Sequence, residues 1–166
     1  YEGGIRVPLF VVWPQKVKPS TTCNVPVSNI DFMPTIADVA NIKLPQEQIV
    51  DGLSLISLLT EKTTSLDRPL FWHFPIYLEG NVEEARDTIF RTRPGSVIRL
   101  GDWKLHEYFE DGGLELYNLK EDIGEKNNLV NTNSETAKKL HKMLIKWRNT
   151  VNAPVPDKLN PEYISQ

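Results

Sequence analysis

The chain has 166 residues, 40% of them hydrophobic and 25% charged, enough to bury one core, or one and a half small ones, without help from disulfides. Its 22 acidic and 19 basic side chains leave a net charge of -3, which argues against a generic binder of nucleic acid or of an anionic membrane. No apolar run reaches the eighteen residues of a membrane-spanning helix, and the single cysteine, Cys23, excludes an intrachain disulfide and a C-x-x-C metal site.

The chain opens on Tyr1-Glu2-Gly3-Gly4, without an initiator methionine or the parts of a signal peptide, and reads as the interior of a longer protein. Residues 5–13, with Val7, Leu9, Phe10, Val11, Val12 and Trp13, read as a buried central strand stopped by Pro14. Pro8 cannot donate a ladder bond and sets the strand's start or a bulge. After the loop Pro19-Ser20-Thr21-Thr22, Asp31 is placed to cap a helix with Pro34 in its first turn. Phe32, Ile36 and Val39 or Ala40 would share its apolar face. Asp51-Gly52 signals a turn before a short buried helix bearing Leu53, Leu55, Ile56, Leu58 and Leu59. Polar, aperiodic Thr60–Asp67 is the best internal boundary.

Beyond it, residues 68–75 read as a strand, and Gly80 to Pro94 as an irregular loop. Val97–Leu100, Trp103–Phe109 and Leu114–Leu119 read as an antiparallel meander, with Gly101-Asp102 and Asp111-Gly112-Gly113 as turns. Alternation puts Trp103, Leu105 and Phe109 on a core face and Lys104, His106 and Tyr108 on a wetter one. A helix from about Ser134, its expected cap, to Val151 carries Ala137, Leu140, Leu144, Trp147 and Val151 toward the sheet. Pro154, Pro156 and Pro161 make the tail extended.

The chemistry-bearing residues do not assemble a catalytic motif. The histidines stand at 73, 106 and 141, in no spacing that sets two ligands on one helix face. No G-x-S-x-G occurs, and Cys23 sits in a loop without features of a nucleophile. His73 ends an apolar strand, where it is either a hydrogen-bonded core histidine or a group projecting into a cleft. Arg86, Arg91 and Arg93 lie in a loop long enough to line a binding site, and guanidinium groups suit bidentate contacts to sulfate, phosphate or carboxylate. With Glu79, Glu83, Glu84 and Asp87 nearby, a solvated ion-pair surface is the alternative.

Taken together, Tyr1-Glu2-Gly3-Gly4-Ile5-Arg6-Val7-Pro8 with Trp13-Pro14, Asp31-Phe32-Met33-Pro34-Thr35, Asp51-Gly52-Leu53-Ser54-Leu55, Arg99-Leu100-Gly101-Asp102-Trp103-Lys104-Leu105, and Glu115-Leu116-Tyr117-Asn118-Leu119 followed by Asp122 and Glu125-Lys126-Asn127-Asn128-Leu129 form an ordered set. It resembles the C-terminal part of the type I sulfatases, the arylsulfatase-like branch of the alkaline phosphatase superfamily. The resemblance implies an α+β architecture: residues 1–62 as the end of a large α/β catalytic domain, then 66–166 as a small antiparallel sheet packed with one long C-terminal helix. It also implies a parent enzyme that hydrolyses sulfate esters with a formylglycine nucleophile and calcium, in a periplasmic, secreted or lysosomal setting.

Cys23 is followed by Asn24-Val25-Pro26 and so departs from the C/S-x-P-S/A-R motif of the formylglycine precursor. By the resemblance, the nucleophile, metal ligands and sulfate-binding Lys and His all lie upstream. No catalytic or metal residue is therefore assigned here, and the chain alone is expected to be inactive and to bind no cofactor. His73, Arg91 and Arg93 are the candidate contacts to the substrate beyond its sulfate group. Expected partners are the N-terminal catalytic half, a sulfated small molecule or saccharide, and a second copy through uncovered apolar surface. The alternatives are a free-standing binding module on the same fold, or part of a related phosphodiesterase.

Overall fold

The computed structural model describes residues 1–80, 90–158, 160 and 161. The chain divides into two units, Val7–Asp67 and the combination of Tyr1–Arg6 with Arg68–Gln166. The first six residues thus belong with the sheet that follows the internal boundary, not with the sixty residues they precede in sequence.

In the larger unit, four antiparallel strands lie in the order β1 (Leu70–Phe74), β4 (Gly95–Leu100), β5 (Trp103–Tyr108), β6 (Leu114–Asn118). β2 (Leu78–Glu79) and β3 (Phe90–Thr92) pair separately, so the stretch from Gly80 to Pro94, expected to be irregular, contains a strand. The β4–β5 turn uses Gly101 at φ +59°, a left-handed conformation that only glycine adopts without a Cβ penalty. Register aligns Ile98 with Leu105 and Leu105 with Leu116. Side chains one residue apart point to opposite faces, so these three form one row on one face. Helix α4 (Ser134–Thr150) lays Ala137, Leu140 and Leu144 over that row, and all six are buried. At about 1.5–3 kcal/mol for each large apolar side chain removed from water, this is the main source of cohesion in the unit. Phe71 stacks on Trp147 at 4.6 Å beside it. The helix and its stripe match the expectation at Ala137, Leu140 and Leu144. Val151 falls beyond the helix and is exposed, and the N-cap is Asn133, with no side-chain cap bond from it or from Ser134.

The smaller unit departs further from the sequence reading. α1 (Glu2–Ile5), which belongs to the larger unit, is a single helical turn, and the residues after it, through 13, form no strand. Val7, Phe10 and Val12 are 79%, 87% and 89% exposed. A strand apolar on both faces is stable only when neighbours complete its ladder and cover it, and among the described residues none does. α2 (Phe32–Val39) forms as expected, but its buried residues are Pro34 and Ala37, whereas Phe32, Ile36 and Val39 are exposed.

Asp31 stands at the N-cap position of α2, but its side chain makes no cap bond there. It is fully buried; Oδ2 accepts from the Ser28 amide at 2.8 Å and Oδ1 from the Leu53 amide at 2.9 Å. Thr35 Oγ1 accepts from the Leu55 amide at 2.9 Å. The chain leading to α3 (Ile56–Leu59) is thereby stitched to α2, with Leu55 and Leu58 buried and Leu53 exposed. Gly52 makes the stitch possible, because a Cβ there would stand 2.0 Å from the Ile30 carbonyl oxygen. Backbone cannot yield as a side-chain tip can, so Gly52→Ala is expected to cost at least the upper part of the range of about 1–3 kcal/mol typical of overpacking. Urea unfolding measures it; an unchanged midpoint would show that the two segments separate freely.

Candidate functional site

The sheet face opposite α4 carries the register rows Arg99–Lys104–Tyr117 and Val97–His106–Glu115. Alternation correctly separates Lys104, His106 and Tyr108 from Leu105, but their face is not the wetter one. Lys104 is 0% exposed, His106 5% and Tyr108 8%. The cover comes from Tyr1–Glu2 and from Glu125, both remote in sequence.

Glu2 and Glu125 supply the charge that makes Lys104 tolerable there. Lys104 Nζ donates to Glu2 Oε1 at 2.9 Å and lies 3.1 Å from Glu125 Oε1. Arg99 reaches Glu2 Oε2 at 3.5 Å, and the Glu2 amide donates to Glu125 Oε2. His106 Nε2 is 2.7 Å from Glu125 Oε1. Glu125 itself sits at φ +52°, in a turn where the Asp122 carboxylate accepts from the Lys126 and Asn127 amides at 2.8 Å each. That carboxylate-bridged turn places Glu125 under the sheet. Beside the cluster, Glu115 Oε2 accepts from the hydroxyls of Tyr1, Tyr108 and Tyr117 at 2.9, 3.0 and 3.1 Å.

The electrostatics follow from burial and pairing. Burial lowers the His106 pKa, against the opposing bond to Glu125, so the imidazole is neutral at pH 7. Burial works to raise Glu125, but the His106 bond and the Lys104 charge outweigh it and bring it down to about 2. Burial, with the Glu115 charge added, pushes the Tyr1 phenol up to about 12 and raises Tyr108 and Tyr117 as well. None of these phenols ionises near neutrality. The arrangement holds charge in place and acts as a clamp on Tyr1–Glu2.

The α4 face holds the other polar group. Glu107 bonds Arg148 at 2.6 Å and lies 3.1 Å from His141 Nε2. Burial raises the Glu107 carboxyl, but these two partners leave it below the usual range. Arg148 also lies 5.0 Å from the Phe109 ring centre.

The sequence-proposed contacts are dispersed. His73 lies in β1 with both ring nitrogens engaged, Nδ1 with Ser96 Oγ at 2.8 Å and Nε2 with the Pro154 carbonyl at 2.7 Å. Arg93 is 4% exposed and 3.8 Å from Asp111. Arg91 is exposed on β3, while Arg86, Glu83, Glu84 and Asp87 lie outside the described residues. Cys23 is free and exposed. Among the described residues no three His, Cys, Asp or Glu gather to hold a metal ion. No described helix is long and apolar enough to cross a membrane.

The buried cluster was missed in the sequence, although its signal was present: Glu2, Lys104 and Glu125 stand in three of the segments that carry the family resemblance. Comparison with known proteins agrees with that resemblance. A sulfatase of Formosa agariphila is 38% identical over 169 residues, covering 93% of this chain and 29% of that protein. An N-acetylglucosamine-6-O-sulfatase of Bacteroides thetaiotaomicron is 29% identical over 145 residues, 87% of this chain and 24% of its own length. Among solved structures, one in complex with its substrate D-glucosamine-2-N,6-O-disulfate superposes with a TM-score of 0.54 at 25% identity, over 77% of this chain and 25% of the other. The chain therefore spans less than a third of the proteins it matches. Its residues 1–150 match the family described as N-sulphoglucosamine sulphohydrolase, C-terminal, and with the sheet, long helix and ordered motifs in place, the chain belongs to that sulfatase family.

Proposed function

We propose that this chain acts as the C-terminal portion of a sulfatase that hydrolyses sulfate esters of a saccharide or aryl alcohol, and that it is inert without the catalytic portion. The observation that carries the reading is the family match over residues 1–150 in a chain that spans less than a third of the sulfatases it matches. Formylglycine and calcium belong, on this reading, to the catalytic portion, where they supply the nucleophile and its activation. His73, Arg91 and Arg93 contribute to the substrate side; of the three, Arg91 presents an exposed guanidinium suited to an anionic group. The sulfatase setting supports a periplasmic, secreted or lysosomal location.

The uncovered Val7, Phe10, Val12, Ile36 and Ile49, each more than 60% exposed, support a surface that the catalytic portion covers and that joins copies together in its absence. The test is an aryl sulfate assay with calcium, run on this chain alone and on a chain extended upstream through a C/S-x-P-S/A-R segment. Turnover is expected only from the extended chain. Turnover by the short chain, or by neither, would overturn the reading.

A further inference from the structure

The larger unit contains a cleft of about 220 Å³ lined by Pro94, Phe109, Glu110, Pro156, Asp157 and Lys158. Its two walls are separately fixed. One is the end of the β4–β5 pair, closed by the Phe109 amide donating to the Pro94 carbonyl at 3.0 Å. Phe109 is held there by Arg148 at 5.0 Å and the His73 ring at 5.8 Å. The other wall is the proline-rich tail, tied at Pro154 by His73 Nε2 and at Asn160, whose amide lies 3.4 Å from Glu110 Oε1. Glu110 Oε2 is buried and, among the described residues, has no hydrogen-bond partner. A buried carboxylate oxygen is costly unless a donor meets it.

The geometry points to a subsite for an uncharged sugar ring. Resting on the sulfatase reading, this ring is a part of the saccharide that bears no sulfate. Three features choose it. The volume suits a single ring rather than a drug-sized ligand. Pro94, Phe109 and Pro156 offer apolar walls to the C–H face of a pyranose, while Glu110 Oε2 accepts from a ring hydroxyl. Glu110 and Asp157 against Lys158 leave the lining one charge negative, which disfavours a sulfate group. His73 is then a positioning residue that holds the tail wall, and its effect on substrate passes through Pro154.

Saturation-transfer NMR of the 166-residue chain, a method that tolerates self-association, tests this with methyl β-glucopyranoside and glucose 6-sulfate. The neutral glycoside is expected to bind in the millimolar range and the sulfate ester more weakly. Glu110→Ala should weaken the glycoside about fivefold, and Phe109→Ala should weaken it as well. Glu110→Gln, close in shape and without the charge, should narrow the gap between the two sugars. A fold defect alone would not produce that change in preference. Absence of glycoside binding, equal binding in Glu110→Ala, or capture of a lysine-rich peptide in place of the sugar would overturn the subsite. Loss of sulfatase activity in the extended chain with glycoside binding intact would overturn the functional reading and leave the subsite standing.

Discussion

Lys104→Met is expected to destabilise the larger unit by about 3–5 kcal/mol, a large share of the roughly 5–15 kcal/mol that holds a domain together. The methylene stem is replaced well enough by Met, so little packing is lost. What is lost is the ammonium between Glu2 Oε1 at 2.9 Å and Glu125 Oε1 at 3.1 Å, where Lys104 is fully buried. Two carboxylates would then face each other with Arg99 at 3.5 Å and Arg6 at 3.9 Å from Glu2, and with the neutral His106 and the Glu2 amide on Glu125. Removing one member of a buried ion cluster costs more than the cluster's net worth, because the remaining charges stay desolvated. Glu2→Gln added to Lys104→Met should therefore recover part of the loss, giving a coupling of about 0.5–3 kcal/mol in a double-mutant cycle. Urea unfolding followed by Trp fluorescence measures both. A Lys104→Met protein with an unchanged midpoint would mean that water reaches the cluster.

Acid is expected to open the same clamp, in two steps of known sign. Glu125 has a folded pKa of about 2 against an ordinary 4.5. Its contribution is complete above pH 4.5 and is lost as pH falls from there toward 2; at 1.36 kcal/mol per pH unit it amounts to about 3 kcal/mol. His106 is also depressed, below 6.5. The folded state prefers the neutral ring, so this contribution is complete above pH 6.5 and declines as pH falls below it. Both terms act in one direction, and stability should decline gently below pH 6.5 and steeply below 4.5. The groups facing His106 are Glu125, Lys104, Tyr1, Tyr108 and Tyr117; the three phenols stay protonated throughout this range. Glu125→Gln should flatten the steep limb, and His106→Asn the gentle one. Unfolding free energies measured from pH 8 to 3 check this, and a flat profile in the unaltered protein would contradict the buried pairing.

Elements whose stabilising partners lie nearby in sequence were legible. The meander could be placed because hairpin neighbours are local, and its Gly101 turn and alternating Leu105 and Leu116 identify both the bend and the face. The 134–150 helix could be placed because its stripe repeats at 3.6 residues. Residues 5–13 failed for the opposite reason. A strand pattern states what a segment can do, whereas a ladder needs another strand, and none of the described residues supplies one. α2 shows the same limit: Ile36 and Val39 mark an apolar face, yet their 65% and 49% exposure shows that periodicity names a face without supplying its cover.

By itself the sequence determined the class of fold, the family, the two turns, the long helix and the absence of a nucleophile motif, because each rests on local spacing or on an ordered set of short segments. Only the tertiary structure decided where Tyr1–Glu2 goes and what Lys104 does. Residues 1 and 2 join the sheet although the separate unit Val7–Asp67 stands between them in sequence, and Glu125 arrives by a turn with positive φ. No one-dimensional pattern encodes such a meeting. A lysine alternating with leucine reads as solvent-facing because isolated charge seeks water; it is buried here because two distant carboxylates, Glu2 and Glu125, meet its ammonium group in place of water.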